Sequence, residues 1–537
     1  MSSFGNTREI CRHLAIMADT VTFTLDKLQR VSAFHWLDVS VVIWITAGIS
    51  FLITLFLVTS LYLWFSRRPR LEEHCDYDVI IVGHGVVGAS VATLLGRQGK
   101  KVLVLDKCLS EPDRIVGELM QPRGVKSLRD LGLIEAVEGI DPHVVKGYAV
   151  YYRGENFHCT YPAKNQLPGM GFHNGRFVMG LRRLAWKTPG VTVVQASVDK
   201  VLRRKDGSVS GVSYSIVDGD KVLSKSATAP LTVLASGCLS SLRNLFISKP
   251  RKEARSSFLG LIMKDCDLPY PNTANVFLAD PTPVLCYPIS SNELRVLVDF
   301  PSGKIPRSDN GDLTRHLLEK TLPNFPKSMQ PSFRRAVEDG KFMSMPNQSM
   351  ESKPLFCPGI CLIGDSLNMR HPLTGGGMTV GLKDVQIFTE LMSSVTDLKD
   401  SVKLDSAIRQ FYASRKAPNA VINVLADALY RVFCAEQEDM RAGCYSYLAR
   451  GGHFVHGPIS FLSGISESQG FLLLHFFAVA IYSVFQLNFP IPTPGRIARA
   501  YMVLRNAVHI IYPLVMTGAT SWSLIGVVSI LRLLFPL

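Results

Sequence analysis

The stretch from Tyr77 to Asp106, YDVIIVGHGVVGASVATLLGRQGKKVLVLD, leaves few folds open. Val79 to Val82 is a short uninterrupted apolar run, the pattern of a strand covered on both faces. It runs into Gly83, Gly85 and Gly88 at G-x-G-x-x-G spacing, with Val86 and Val87 between the last two. An apolar helix pattern follows and stops at Gly99. Val102 to Leu105 then repeats the buried-strand pattern and ends on Asp106 and Lys107. In such a unit the first glycine permits the tight turn, the second lets a pyrophosphate approach the backbone, and the third lets helix and strand pack closely. The helix start offers its positive end to the phosphates. An acid about twenty residues beyond the first glycine accepts hydrogen bonds from a ribose hydroxyl. An ordinary Gly-rich turn also matches G-x-G-x-x-G. Here strand, helix and acid stand together, so Gly83, Gly85, Val86, Val87, Gly88, Asp106 and Lys107 are expected to bind a dinucleotide.

The remainder of the 537 residues is long enough for further domains, and an apolar share of 47% points to membrane segments. Val41 to Phe65 carries no charge and exceeds the ~20 residues that cross a bilayer as a helix. Trp44, Tyr62 and Trp64 lie towards its ends, and Arg67, Arg68 and Arg70 follow, which places the C-terminal side in the cytoplasm. Gly470 to Phe489 is again uncharged, and Met502 to Leu537 is apolar but interrupted by Arg505 and Arg532. These read as helices lying in one leaflet rather than spanning it. The net charge of +14 is spread along the chain without a basic tract, so no nucleic acid partner is expected. Anionic lipid is a natural counterpart, and a solvated basic surface is the plainer reading. Of 11 cysteines only Cys357 and Cys361 stand close, with no second pair at zinc-site spacing, so reduced thiols and no metal site are expected.

The chain divides by texture. An N-terminal segment (1–40) and a transmembrane helix (41–65) precede the first part of a dinucleotide domain (75–247). Within that part, strands near 148–161 belong to a second sheet. Residues 248–354 mix strand patterns with Pro-rich turns and read as an inserted antiparallel sheet. Ile360 to Ile363 returns to the buried-strand pattern and ends on Gly364-Asp365; Gly375-Gly376-Gly377 then opens a helix, in a part running over 355–433. A helical membrane-associated region (434–537) closes the chain. An acid after a late strand suits ribityl hydroxyls, and a helix start suits electron density on a flavin pyrimidine edge, which favours FAD over NAD. The fold class expected is α/β. It comprises a split, Rossmann-like FAD-binding domain with an inserted antiparallel-sheet substrate domain, an N-terminal transmembrane helix and C-terminal membrane-associated helices.

Several longer motifs carry a resemblance. RIVGELMQP, GRFVMGLR, GDSLNMRHPLTGGGMTVGL and FYASRKAPNAVINVLADALY followed by HFFAVAIY make the chain, from about Tyr77 to Tyr482, similar to the squalene monooxygenase (squalene epoxidase) family. The resemblance implies an aromatic-hydroxylase-type flavoprotein of the endoplasmic reticulum (microsomal) membrane, its catalytic domain facing the cytosol. It also implies FAD as cofactor, NADPH as reductant through NADPH-cytochrome P450 reductase, and squalene and O2 as substrates. By position it implies FAD contacts at Val86, Val87, Asp106, Arg114, Arg182, Asp365 and Met378. It implies a polar pair beside the flavin at Tyr148 and Gln121, and cavity residues Pro372, Leu373 and Gly375. Arg114 otherwise reads as a surface ion-pairing residue, Tyr148 as a half-buried packing tyrosine and His371 as a loop-orienting residue rather than a base.

Three departures stand out. Asp106 takes the place of the usual Glu. Ser236-Gly237 stands where Asp-Gly is usual, which removes a carboxylate near the cofactor. His84 occupies a glycine-loop position where small residues are common. Because the cofactor performs the difficult chemistry, the protein's tasks are to bind it, exclude water and hold one double bond over the ring. The competing readings are a related flavin enzyme acting on another membrane isoprenoid and a non-catalytic FAD- and lipid-binding protein. With the body in the cytosol, the sequon Asn347-Gln348-Ser349 is expected to stay unglycosylated.

Overall fold

In the computed structural model the described residues are 47–59 and 75–534, except 163–166, 239–240, 249–252, 281, 302, 351–352, 435–437 and 519–521. The chain forms two compact units, Met1–Pro69 and Arg70–Leu537. In the first, Ala47–Thr59 is an apolar helix whose side chains are exposed, with the Thr54 and Thr59 hydroxyls donating back to the carbonyls of Ser50 and Leu55. The rest of the expected span 41–65 lies outside the described residues.

The second unit is built first on a five-stranded parallel sheet in the order Ile360–Leu362, Leu231–Leu234, Val79–Val82, Val102–Asp106, Val191–Gln195. The first four consist almost wholly of buried aliphatic residues, as strands covered on both faces require. The helices Val86–Arg97 and Gly377–Ser393 share one core with this sheet through Val91, Leu95, Val385 and Phe388. Between Val191–Gln195 and Leu231–Leu234 the chain makes a separate three-stranded antiparallel sheet of Ser197–Arg203, Val209–Asp218 and Lys221–Thr228. The latest strand therefore lies beside one that precedes it by well over a hundred residues.

A seven-stranded sheet follows the order Met343–Ser349, Glu253–Lys264, Glu293–Pro301, Val284–Pro288, Thr273–Phe277, Gly147–Tyr152, Glu155–Thr160. Its last two strands come from the early part of the chain. The pattern 248–354 predicts an antiparallel sheet, and the observed sheet is mixed: Thr273–Phe277 pairs parallel with Gly147–Tyr152. A parallel neighbour needs a long crossover, and here that crossover carries two strands of the parallel sheet, Val191–Gln195 and Leu231–Leu234.

Asn347, expected to carry an unused sequon, is 0% exposed, and its amide donates to Ser256 Oγ (2.9 Å) and Asp299 Oδ1 (3.0 Å). The fold itself withholds this side chain from modification, so an unused sequon carries no information about membrane sidedness.

Among the described residues seven helices follow, from Ser401–Ser414 to Trp522–Leu534. Among the described residues one helix, Gln469–Asn488, is long and apolar enough to cross a membrane. Leu474, Ile481, Phe485, Phe489, Ile491 and Ile497 leave an apolar surface on and beyond it.

Candidate active site

The glycine turn is tight at two positions and open at the third. Gly83 has φ +103°, and a Cβ there would lie 2.5 Å from the Ala235 carbonyl oxygen; a Cβ at Gly88 would lie 1.9 Å from that of Gly83. Gly85 has φ −82° and ψ −164°, and a Cβ there would face open space. The helix Val86–Arg97 starts without a side-chain cap and without an acid in its first turn. Its leading N–H groups are therefore not capped by a side chain and are available to an acceptor from outside the helix.

Asp106 is held against the glycine turn. Its Oδ2 accepts the His84 N–H at 2.6 Å and its Oδ1 accepts the Cys108 N–H at 3.0 Å, so the carboxylate is oriented by backbone and keeps lone pairs for a ligand. Lys107 and Arg114 are exposed nearby in the chain, and among the described residues no ion pair engages Arg114. Arg182 is buried behind the turn; its guanidinium donates to the carbonyls of His84 (2.9 Å), Ser110 (2.9 Å) and Cys108 (3.1 Å) and lies 3.8 Å from Asp106 Oδ2. From these bonds Arg182 locks the loop after Asp106 onto the glycine turn. His84 is 0% exposed, and neither ring nitrogen has a partner among the described residues. Burial, with Arg182 alongside, pushes its imidazole down to about 4, against the pull of Asp106.

The three glycine-bearing motifs meet at Val87. A Cβ on Gly364 or on Gly381 would lie 2.9 Å from Val87 Cγ2. This brings the end of the strand Ile360–Leu362 and the first turns of Gly377–Ser393 against the glycine turn. Gly364 needs its φ of +63° here. Asp365 is solvent-exposed while protein groups surround it. Burial pushes its carboxyl up, and Arg370, Arg114 and Arg243 pull it back. Ser366 Oγ accepts the Gly237 N–H at 2.9 Å, and Arg243 Nη1 donates to the Asp365 carbonyl at 3.1 Å. The Ser236-Gly237 departure thus lies beside Asp365, with Ser236 Oγ buried and without a partner among the described residues. Met378 is buried in the first turn of a helix that, like the other, has neither a side-chain cap nor an acid at its start.

Further along, Gln121 is fully buried and bonded on both ends. Its Nε2 donates to the Tyr148 hydroxyl (2.7 Å) and to the Thr374 carbonyl (2.9 Å), and its Oε1 accepts from the Tyr161 hydroxyl (3.0 Å). Thr374 belongs to a 3-10 turn, Pro372–Thr374, that ends at Gly375 with φ +61°. A Cβ on Gly375 would sit 3.4 Å from Gln121 Nε2. Pro372, Leu373 and Gly375 are therefore brought to the Gln121–Tyr148 pair. Burial pushes the Tyr148 phenol up to about 12, against the hydrogen bonds of Gln121 and Tyr161, so it stays protonated.

Comparison with known proteins joins this geometry to a family. The squalene epoxidase family model matches residues 228–500. The chain is 43% identical over 452 residues to squalene epoxidase 3 of Arabidopsis thaliana, covering 83% of this chain and 85% of that protein. The chain belongs to the squalene epoxidase family. A Schizosaccharomyces pombe squalene epoxidase is 40% identical over 458 residues, covering 83% of this chain and 99% of that protein. The fold is that of FAD-dependent monooxygenases. A solved Klebsiella pneumoniae HpxO, complexed with FAD and uric acid, superposes with a TM-score of 0.59 at 17% identity, covering 74% of this chain and 99% of that one.

Within this squalene epoxidase scaffold, several groups at the site escape sequence reasoning. Arg243 is buried, with its Nε and Nη2 unpartnered among the described residues. The only hint is its place in SGCLSSLR after a buried strand. Glu118, inside the quoted RIVGELMQP, forms a buried two-pronged pair with Arg295 at 2.7 and 2.9 Å, which ties the segment before Gln121 to the seven-stranded sheet. Tyr161 and Thr374 complete the shell of Gln121 through contacts that no local pattern encodes.

Proposed function

We propose that the protein is an FAD-dependent squalene monooxygenase that epoxidises squalene to (S)-2,3-oxidosqualene with O2, in the biosynthesis of sterols and triterpenoids. The observation that carries this reading is the meeting at Val87 of the glycine turn, the strand end at Gly364 and the helix Gly377–Ser393, whose preceding turn at Gly375 lies beside Gln121, in a chain of this family.

The groove's donors and acceptors fit FAD. The open face at Gly85, with the N–H groups of Val86 and Val87, suits a pyrophosphate. Gly83 and Gly88 keep that turn tight, and Asp106 suits a ribose hydroxyl, with Arg182 holding its loop from behind. Lys107 and Arg114 supply positive charge on the solvent side. Asp365 is the acceptor for ribityl hydroxyls, and the helix start at Met378 favours negative charge at the pyrimidine edge. When bound and reduced by NADPH, delivered through NADPH-cytochrome P450 reductase, FAD supplies an electrophilic oxygen derived from O2.

The chain's own residues arrange the rest. Gln121 fixes the Tyr148 hydroxyl by donating to it, which leaves the Tyr148 proton for an acceptor in the cavity. Pro372, Leu373 and Gly375 form the wall that excludes water and aligns a double bond. The exposed apolar helices at Gln469–Asn488 and beyond suit entry of a triterpene from membrane lipid. Membership of the family supports location in the endoplasmic reticulum membrane, and Arg67, Arg68 and Arg70 after the apolar run support a body on the cytosolic side.

The test is the purified protein with NADPH, reductase and squalene. Oxidosqualene supports the proposal. NADPH oxidation without epoxide assigns the enzyme to another isoprenoid lipid, and a protein that holds lipid but no flavin refutes the enzymatic reading.

A further inference from the structure

A buried polar chain leads from the seven-stranded sheet to the turn above Gln121. It starts at Asp299 on Glu293–Pro301, which is 3% exposed. Its Oδ1 accepts from Asn347 Nδ2 at 3.0 Å and its Oδ2 from the Tyr430 hydroxyl at 3.1 Å. Asn347 Nδ2 also donates to Ser256 Oγ at 2.9 Å, and Ser256 Oγ lies 3.4 Å from His371 Nε2. His371 Nδ1 accepts the Leu373 N–H at 3.3 Å and so caps the Pro372–Thr374 turn. The carbonyl of Thr374, at the end of that turn, accepts from Gln121.

The directions of these bonds determine the proton positions. Nδ1 accepts from a backbone N–H, so in the neutral ring Nε2 carries the hydrogen and donates to Ser256 Oγ. That oxygen already accepts from Asn347. The Asn347 amide nitrogen that donates to it also donates to the Asp299 carboxylate, which joins the carboxylate to this hydroxyl. Stacking on Tyr430, at 3.9 Å between centroids and 21° between planes, fixes the ring's orientation, and Phe258 meets it edge-on. A carboxylate, a hydroxyl and an imidazole, buried on three adjacent elements and aligned in one direction, exceed what packing alone requires. A like-shaped apolar set would fill the same volume without desolvating a charge.

We propose that Asp299 and Ser256 set the tautomer of His371, and that His371 thereby holds the Pro372–Thr374 turn in register over Gln121 and Tyr148. The three are positioning residues of the oxygenation site. None touches the reacting atoms through the bonds described; each acts through the next. The inference rests on the function proposed above, because the turn matters only if Gln121–Tyr148 faces the flavin.

The experiment compares Ser256→Ala and Asp299→Asn with Thr282→Val in the full-length protein. Thr282 is the internal control: its buried hydroxyl donates to the Asp299 backbone carbonyl at 2.6 Å, on the same strand but outside the chain of bonds. Peptide-resolved amide hydrogen exchange over residues 370–378 is measured without flavin, and turnover of squalene with flavin. Loss of one net hydrogen bond of ~1 kcal/mol corresponds to about fivefold. Ser256→Ala and Asp299→Asn are expected to speed exchange at Leu373 by about that factor. They should lower kcat by a similar amount while leaving flavin content unchanged. Thr282→Val should lower the unfolding midpoint and leave both readouts alone. Unchanged exchange at Leu373 in Ser256→Ala and Asp299→Asn overturns the proposal, as does equal acceleration by Thr282→Val. If exchange accelerates as expected while the wild type makes no epoxide, the positioning chain stands and the functional reading falls.

Discussion

Replacing Tyr148 by Phe is the sharpest test of the site, because it removes one oxygen and keeps the ring. The ring is buried and meets that of Tyr161 edge to face at 5.7 Å between centroids, so packing is retained. Gln121 Nε2 loses the 2.7 Å bond to the hydroxyl but keeps its 2.9 Å bond to Thr374, and Oε1 keeps Tyr161. No polar group is left wholly unpaired, so the expected cost is that of one neutral hydrogen bond, ~0.5–1.5 kcal/mol. That corresponds to roughly a two- to twelvefold fall in kcat, with flavin content unchanged. Gln121→Leu is the harsher partner variant. It strips Tyr148, Tyr161 and the Thr374 carbonyl of a shared partner, each lost buried bond costing ~1–3 kcal/mol, so both stability and turnover fall. The assay is epoxide formed per bound flavin, with flavin content read by absorbance after gel filtration. Wild-type turnover per flavin in Tyr148→Phe would refute a catalytic role for the pair and leave Tyr148 as a packing residue.

Three further outcomes are expected. Gly85→Val should fold, since nothing in the protein occupies the space, yet purify without flavin; Gly88→Val should fail to fold, since its Cβ would lie 1.9 Å from a backbone oxygen. Soluble, yellow Gly85→Val would contradict the pyrophosphate assignment. Asp365→Ala removes a charged acceptor, worth ~1.5–3 kcal/mol, so flavin should be lost on dilution and partly regained in excess FAD; full retention on gel filtration would move the ribityl site elsewhere. His84 is held neutral, its folded value of about 4 lying below the ordinary 6.5. Its contribution is therefore intact above pH 6.5 and declines as pH falls towards 4. Between pH 7.5 and 5 the wild type should lose ~2 kcal/mol that His84→Ser does not; parallel denaturant midpoints of the two across that range would disprove the buried neutral imidazole.

Some of this architecture is readable residue by residue. Val79 to Val82, Val102 to Leu105 and Ile360 to Ile363 announce a parallel sheet, because a strand covered on both faces has no polar side to display. The glycine spacing announces the turn, because Gly83 and Gly88 stand where a side chain would strike backbone. The quoted motifs RIVGELMQP and GDSLNMRHPLTGGGMTVGL, which hold Gln121 and Asp365, carry the resemblance to the family. Each of these signals is local: it records what one residue's own backbone and immediate surroundings tolerate.

What the tertiary structure alone decided is which distant residues share a surface. Val87 touches Gly364 and Gly381 across most of the chain, and Arg243 borders Asp365 beside the substituted Ser236. Arg182, a candidate ligand by resemblance, turns out to tie three carbonyls behind the loop. Asn347 reads in the sequence only as an unused sequon and is a buried link between Ser256 and Asp299. The physical reason is the same in each case. Hydrogen-bond partners and burial of a polar side chain are set by strand register and by the closing of long crossovers, and a one-residue shift in either would send the same side chain to the opposite face.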